Sequence, residues 1–153
     1  MLPRRFVAML IAAFGLTGAV VAQSGATSTR TFVIGLGSTE TAQIAVVNLA
    51  DASSSGPAAS CTGSIAFFNA AGVVIGAATA FTLGTRQVAS ARLPFASAGG
   101  TGVRALIRGE VTVTRIAGSG VSCTPAANLD TFDTSSGVTN RRYTGEEAIS
   151  VAN

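Results

Sequence analysis

Asp130 and Asp133, with Asn128 just before them, are the side chains best suited by type and spacing to do chemistry. Carboxylate and amide oxygens are the hard ligands that Ca²⁺ takes, with backbone carbonyls completing the shell. The pair reads as a weak calcium candidate, because such sites usually gather more carboxylates at closer spacing. The plainer reading has Asp133 capping a turn and Asp130 solvated on a strand. A glycosidase needs two carboxylates facing across a sugar-sized cleft, and the whole chain has only 7 acidic residues. A second group is Arg104, Arg108 and Glu110, on one side of a period-two stretch, with Arg115 just beyond. It is a candidate interaction face for an anionic polymer or an acidic protein. The plainer reading is a solvated sheet face with cross-strand ion pairs worth about 0.2–1 kcal/mol each.

The residue types that are missing exclude more than those present suggest. The sequence has no His, Lys or Trp. Ser-His-Asp and Cys-His catalysis and imidazole zinc sites are therefore excluded. So are Ser-Lys dyads, Schiff bases and the phosphate-loop lysine. Serine nucleophiles lack a base. Sugar stacking lacks Trp and has one Tyr, Tyr143. Gly35-Leu36-Gly37 resembles part of a dinucleotide loop, but no helical pattern follows, so it reads as a turn. No catalytic residue, cofactor or resident metal is expected, and the chain reads as no enzyme.

The N-terminus sets the compartment. Met1 to Arg5 is a short basic head, and Phe6 to Val21 is an apolar run without charge. With small residues at 20 and 22, this is the pattern of a secretory signal peptide over residues 1–22, forming a helix and cut between Ala22 and Gln23. An uncleaved anchor is the alternative, although the run is short for the ~20 residues of a span and contains Gly15, Thr17 and Gly18. Membrane contact is then transient, through the signal alone. Cleavage leaves 8 arginines against 7 acids, a net +1. A nearly neutral domain has no electrostatic footprint for nucleic acid. An all-arginine basic set suggests GC-rich coding and hence a bacterium.

Cys61 and Cys123 are the only cysteines. In an oxidising compartment an isolated pair is most simply one disulfide. A redox pair would sit closer together, as Cys-x-x-Cys.

The elements that must position these groups are strands. Residues 23–30 read as a flexible lead, 31–142 as one β domain and 143–153 as a C-terminal tail. Thr31–Ile34 opens the first strand and Gly35–Ser38 breaks it. Thr41–Leu49 follows, then a Ser/Gly/Pro loop. Cys61–Asn69 alternates on two faces. Asn69-Ala70-Ala71-Gly72 is a turn opened by the Asn side chain and closed by a glycine with positive φ. Val73–Phe81 returns, with a bulge or bend at Gly76, and Thr82–Arg86 turns again. Gln87–Phe95 is a further strand, and Ala98–Gly102 is a flexible connection.

The clearest strand is Val103–Arg115. Val103, Ala105, Ile107, Val111 and Val113 lie on one face, opposite Arg104, Arg108, Glu110, Thr112 and Thr114. Val121–Asp133 reads as its hairpin partner, with Pro125 marking an edge or bulge, and Asp133–Gly137 turns into a short pairing from Val138. Two corners match: Phe68-Asn69…Gly72-Val73 and Phe132-Asp133…Gly137-Val138. They read as convergent turn chemistry and not as a repeat. Short strands with regular turn signals and no helix predict an all-β fold, an antiparallel β-sandwich of immunoglobulin-like architecture.

Cys61-Thr62-Gly63-Ser64-Ile65-Ala66-Phe67-Phe68-Asn69-Ala70-Ala71-Gly72, with Cys123 and Leu129-Asp130-Thr131-Phe132-Asp133-Thr134-Ser135-Ser136-Gly137, resembles a group of uncharacterised secreted bacterial proteins. The resemblance implies a secreted β-sandwich and carries over no activity and no functional residue. The expected role is therefore structural or interactive, in the bacterial envelope, the periplasm or outside the cell. The partner would be an envelope protein or an extracellular polymer. The alternative is a Ca²⁺- or polysaccharide-binding module.

Overall fold

The computed structural model describes residues 26–51, 60–100, 102–115 and 123–144. The signal segment, its cut between Ala22 and Gln23, and residues 145–153 of the expected tail lie outside them. Among the described residues eight strands follow in order: β1 (Ala26–Gly37), β2 (Glu40–Asn48), β3 (Ser60–Asn69), β4 (Val74–Gly84), β5 (Val88–Pro94), β6 (Arg104–Arg115), β7 (Pro125–Asp133) and β8 (Thr139–Thr144). A 3₁₀ turn, Phe95–Ser97, follows β5. All pairing is antiparallel, in two sheets ordered β1-β6-β3-β4 and β5-β2-β7-β8.

The core lies between the inward faces of the sheets. Ile34, Leu36, Ile65, Ile107, Val111 and Val113 come from one sheet; Ile44, Val46, Leu93 and Leu129 come from the other. Alternation puts these side chains inward and Arg92, Arg108, Glu110, Asp130 and Arg142 outward. The sheets meet closely at Gly109, where any Cβ would collide with the Ile44 Cδ1 methyl of the opposite sheet. That contact explains the one gap in the inward apolar series of β6.

Local signals misjudged several boundaries. The first strand begins at Ala26, inside the expected lead. It runs through Gly35 to Gly37 because Leu36 is fully buried, and burial of a leucine outweighs the conformational cost of its glycine neighbours. The turn falls instead at Ser38-Thr39, closed by the Gly37 N–H donating to Glu40 Oε2 at 2.7 Å. For the same reason buried Leu83 carries β4 to Gly84, and the turn shrinks to Thr85-Arg86. Val103 precedes β6 and is exposed, not inward. Tyr143 belongs to β8, opposite Leu129, and not to a tail.

The largest correction concerns β6 and β7, which are not a hairpin. β6 lies between β1 and β3, and β7 lies between β2 and β8 in the other sheet. Pro125 is accommodated as the first residue of β7, where a missing ladder donor costs least.

The strand order also shows a repeat that the sequence hides. Advancing each strand of β1-β6-β3-β4 by four places, with β8 followed by β1, gives β5-β2-β7-β8. The half β1–β4 builds three strands of one sheet and lends β2 to the other. The half β5–β8 does the same in reverse with β6. The two matching corners are thus equivalent places in a duplicated topology.

The corners share their bonding. Asn69 Oδ1 accepts the N–H groups of Ala71 and Val73 at 3.0 and 2.9 Å. Asp133 Oδ1 accepts those of Ser135 and Ser136 at 3.0 and 2.9 Å. The Gly72 and Gly137 N–H groups return to the Asn69 and Asp133 carbonyls, both at 2.9 Å. Both glycines have positive φ, 78° and 72°, which a side chain would strain.

Two bridges tie the sheets together. Cys61, in β3, is bonded to Cys123, just before β7, across 62 residues of sequence. Nearby, fully buried Asn48 donates from Nδ2 to the Leu83 carbonyl at 3.3 Å, and its Oδ1 accepts the Ala50 and Thr124 N–H groups, both at 3.1 Å. Asn48 stands in one sheet and Leu83 in the other, so a single side chain spans the sandwich beside the disulfide.

Candidate functional site

The candidate residues fall on the outer faces of the two sheets. On the first, β6 is flanked by β1 and β3, and register sets Val33, Arg108, Phe68 and Val74 in one row. The Arg108 guanidinium lies 4.6 Å from the Phe68 ring centroid, and its Nη2 is 3.1 Å from Glu110 Oε1. Buried Arg108 Nε has no hydrogen-bond partner among the described residues. Stacking holds the planar group against the sheet. Val33 and Leu106 are more than half exposed, and Val74 is nearly so, around this charged centre. Arg104 sits at the far end of β6, opposite Gly37 and away from the Arg108–Glu110 pair. The structure thus joins Arg108 and Glu110 and adds Phe68, Val33 and Val74, which only cross-strand register assembles.

On the second sheet the register row is Arg92, Gln43, Asp130 and Arg142. Arg92 Nε donates to Gln43 Oε1 at 2.7 Å, and Arg142 Nε donates to Asp130 Oδ1 at 3.1 Å. Asn128 Nδ2 donates to Asp130 Oδ2 at 3.0 Å. The Arg92 guanidinium also lies 5.5 Å from the Phe132 ring centroid. Gln43, Arg92, Asp130, Phe132, Gly137 and Thr139 line a shallow recess of about 330 Å³.

Asp130 and Asp133 do not converge. Asp133 faces its own turn, where the Ser135 and Ser136 hydroxyls join the two backbone donors on one carboxylate oxygen, at 2.6 and 3.0 Å. Led by the Ser135 hydroxyl bond, these bonds hold its pKa well below the usual carboxylate range. Asp130 is committed to Asn128 and Arg142, and Asn128 spends its amide nitrogen on Asp130. Among the described residues no three His, Cys, Asp or Glu side chains gather as metal ligands. The plainer reading of the pair, one turn cap and one sheet residue, describes their geometry.

The sequence pointed to Arg108, Glu110 and Asp130 but missed Arg92, Gln43 and Arg142. Their outward positions were legible from alternation; their adjacency was not. No protein-family model, curated protein or solved structure matches this chain.

Proposed function

We propose that this chain is a non-catalytic β-sandwich with a structural or interaction role outside the cytoplasm, in the bacterial envelope or beyond it. The observation that carries the reading is the Cys61–Cys123 bond, fixed between the two sheets with Cys61 fully buried. Such a bond suits an oxidising compartment, as does the secretory pattern of residues 1–22. The absence of His and Lys from the chain removes the commonest general bases and nucleophile activators. The exposed row around Arg108 and Phe68 supports docking of an envelope protein through a rigid sheet face. Cell fractionation with intact mass under non-reducing conditions tests the compartment. The expected species is exported, begins at Gln23 and lacks free thiols. Full-length cytosolic protein with both thiols open to alkylation overturns the reading.

The second-sheet recess favours one other ligand class, an acidic polysaccharide. Arg92 and Arg142 supply planar donors for carboxylates, and Gln43 and Asp130 supply groups for hydroxyls. Calorimetric titration with a uronic-acid polymer and a neutral glycan tests it. Binding of the acidic polymer that is lost in Arg92→Ala supports the reading, and silence with both removes it. A parallel Ca²⁺ titration is expected to give no heat, because both aspartates are already engaged.

A further inference from the structure

Four strands form the sheet edges: β1 and β4 in one sheet, β5 and β8 in the other. An edge strand presents unpaired N–H and C=O groups, and proteins guard such edges with charge, proline or bulges. β1 contains Arg30; β5 contains Arg92 and ends at Pro94; β8 contains Arg141 and Arg142. β4 contains none of these. No charged residue occurs anywhere between Asp51 and Arg86, so its hairpin partner β3 is neutral too.

One guard remains on β4, and it covers half the strand. Register with β3 shifts between Ile65 and Phe67, opposite Gly76–Ala78, which turns that part of the edge aside. From Thr79 to Gly84 the register is regular, and Thr79, Ala80 and Thr82 are exposed, small and neutral. Beside the bulged half, a recess of about 300 Å³ lies between β4 and β5, lined by Ile75, Gly76, Ala77 and Thr79 of β4 and by Ala91, Arg92 and Leu93 of β5.

We infer that β4 is a self-association strand, with Thr79–Leu83 of one molecule pairing antiparallel with the same segment of a second copy. The four-stranded sheet then continues across a twofold axis. Charge selects the occupant. An isologous contact sets a patch against itself, and this is the edge on which doing so brings no arginine against arginine. A pairing centred on Phe81 sets Ala80 against Thr82 and Thr79 against Leu83, with no charge to desolvate. The same symmetry applied to β8 would crowd Arg141 and Arg142 together. The pairing uses the backbone edge of β4 from Thr79 onward and not the side chains of the Arg108 or Asp130 rows, so the inference goes beyond the proposed role.

Sedimentation equilibrium of the full oxidised chain over a range of concentration tests it, together with amide hydrogen exchange. The expected result is a dimer in which protection of residues 79–83 rises with concentration. Thr79→Lys and, separately, Thr82→Lys place a charge on the edge and weaken association on the order of tenfold or more. Unchanged circular dichroism shows that each variant still folds, and the exchange measurement needs no variant. A monomer at all concentrations overturns the inference. So does a dimer that both lysine variants retain, or one whose new protection lies outside β4.

Discussion

The β3–β4 and β7–β8 hairpins hold equivalent places in the two sheets, yet one is neutral and the other carries Asp130, Asp133, Arg141 and Arg142. Their corners use the same kind of side-chain oxygen cap and the same positive-φ glycine, with the Asp133 turn one residue longer. Each turns just after an outward phenylalanine that an arginine from another strand approaches. What the hairpins share is the inward alternation and the turn chemistry, which the fold requires. What they do not share is the outward chemistry, which the fold leaves free. The difference teaches that duplicated topology constrains the core and lets each outer face and edge acquire its own chemistry.

The comparison is broken most severely by cutting the covalent tie between the sheets. Replacing Cys61 and Cys123 by serine is expected to cost about 4 kcal/mol by the loop-entropy model, read from denaturant unfolding of the oxidised protein and the variant. A loss near zero would mean that the other contacts between the sheets already hold them together. Asn48→Ala comes next. It strands the buried Ala50 N–H, the part-buried Thr124 N–H and the Leu83 carbonyl at the same end of the sandwich, at a cost of about 3 kcal/mol in the same assay.

The corners are separated by acid. Asn69→Ala should lose about 1 kcal/mol at every pH, since an amide does not titrate. Asp133 has its folded pKa lowered, so its contribution is present above the ordinary carboxylate pKa of about 3.8 and is lost as pH falls below it. Asp133→Ala should therefore destabilise at neutral pH and converge on the parent in strong acid. Thermal melts of both variants against pH check this. A pH-independent Asp133→Ala loss would show that the turn bonds do not depend on charge.

The smallest expected effect has the opposite sign. In β7, Thr131 sits one residue before Phe132, as Phe67 sits before Phe68 in β3. Thr131 is fully buried, and its hydroxyl has no partner among the described residues. Thr131→Val keeps the shape and removes the unsatisfied group, and is expected to stabilise by about 1 kcal/mol. A destabilised variant would reveal a hydrogen bond to that hydroxyl.

The all-β class, the Asn69 and Asp133 corners, and the inward face of β6 from Ala105 to Val113 were legible in the sequence. They rest on interactions a few residues apart or on strict alternation. Gly35-Leu36-Gly37 and Thr82-Leu83-Gly84 were misread, because a glycine signals a turn only until the leucine beside it finds a core. The separation of β6 from β7 was invisible for a related reason. Nothing in a strand's own residues names the sheet it joins, and the connection between them looks like an ordinary hairpin loop. The site was half legible: the outward positions of Arg108, Glu110 and Asp130 follow from period two, but the neighbours that define them do not.

The chain by itself determined that strands would form, where most of them turn, and that two cysteines were available to bridge. Those are consequences of side-chain shape, backbone freedom and alternation, all of which act locally. Which strands lie side by side was decided only when two sheets closed over a shared core, because pairing is selected by burial summed over the whole molecule. That closure made equivalents of β4 and β8 and left one of the two edges without a charge.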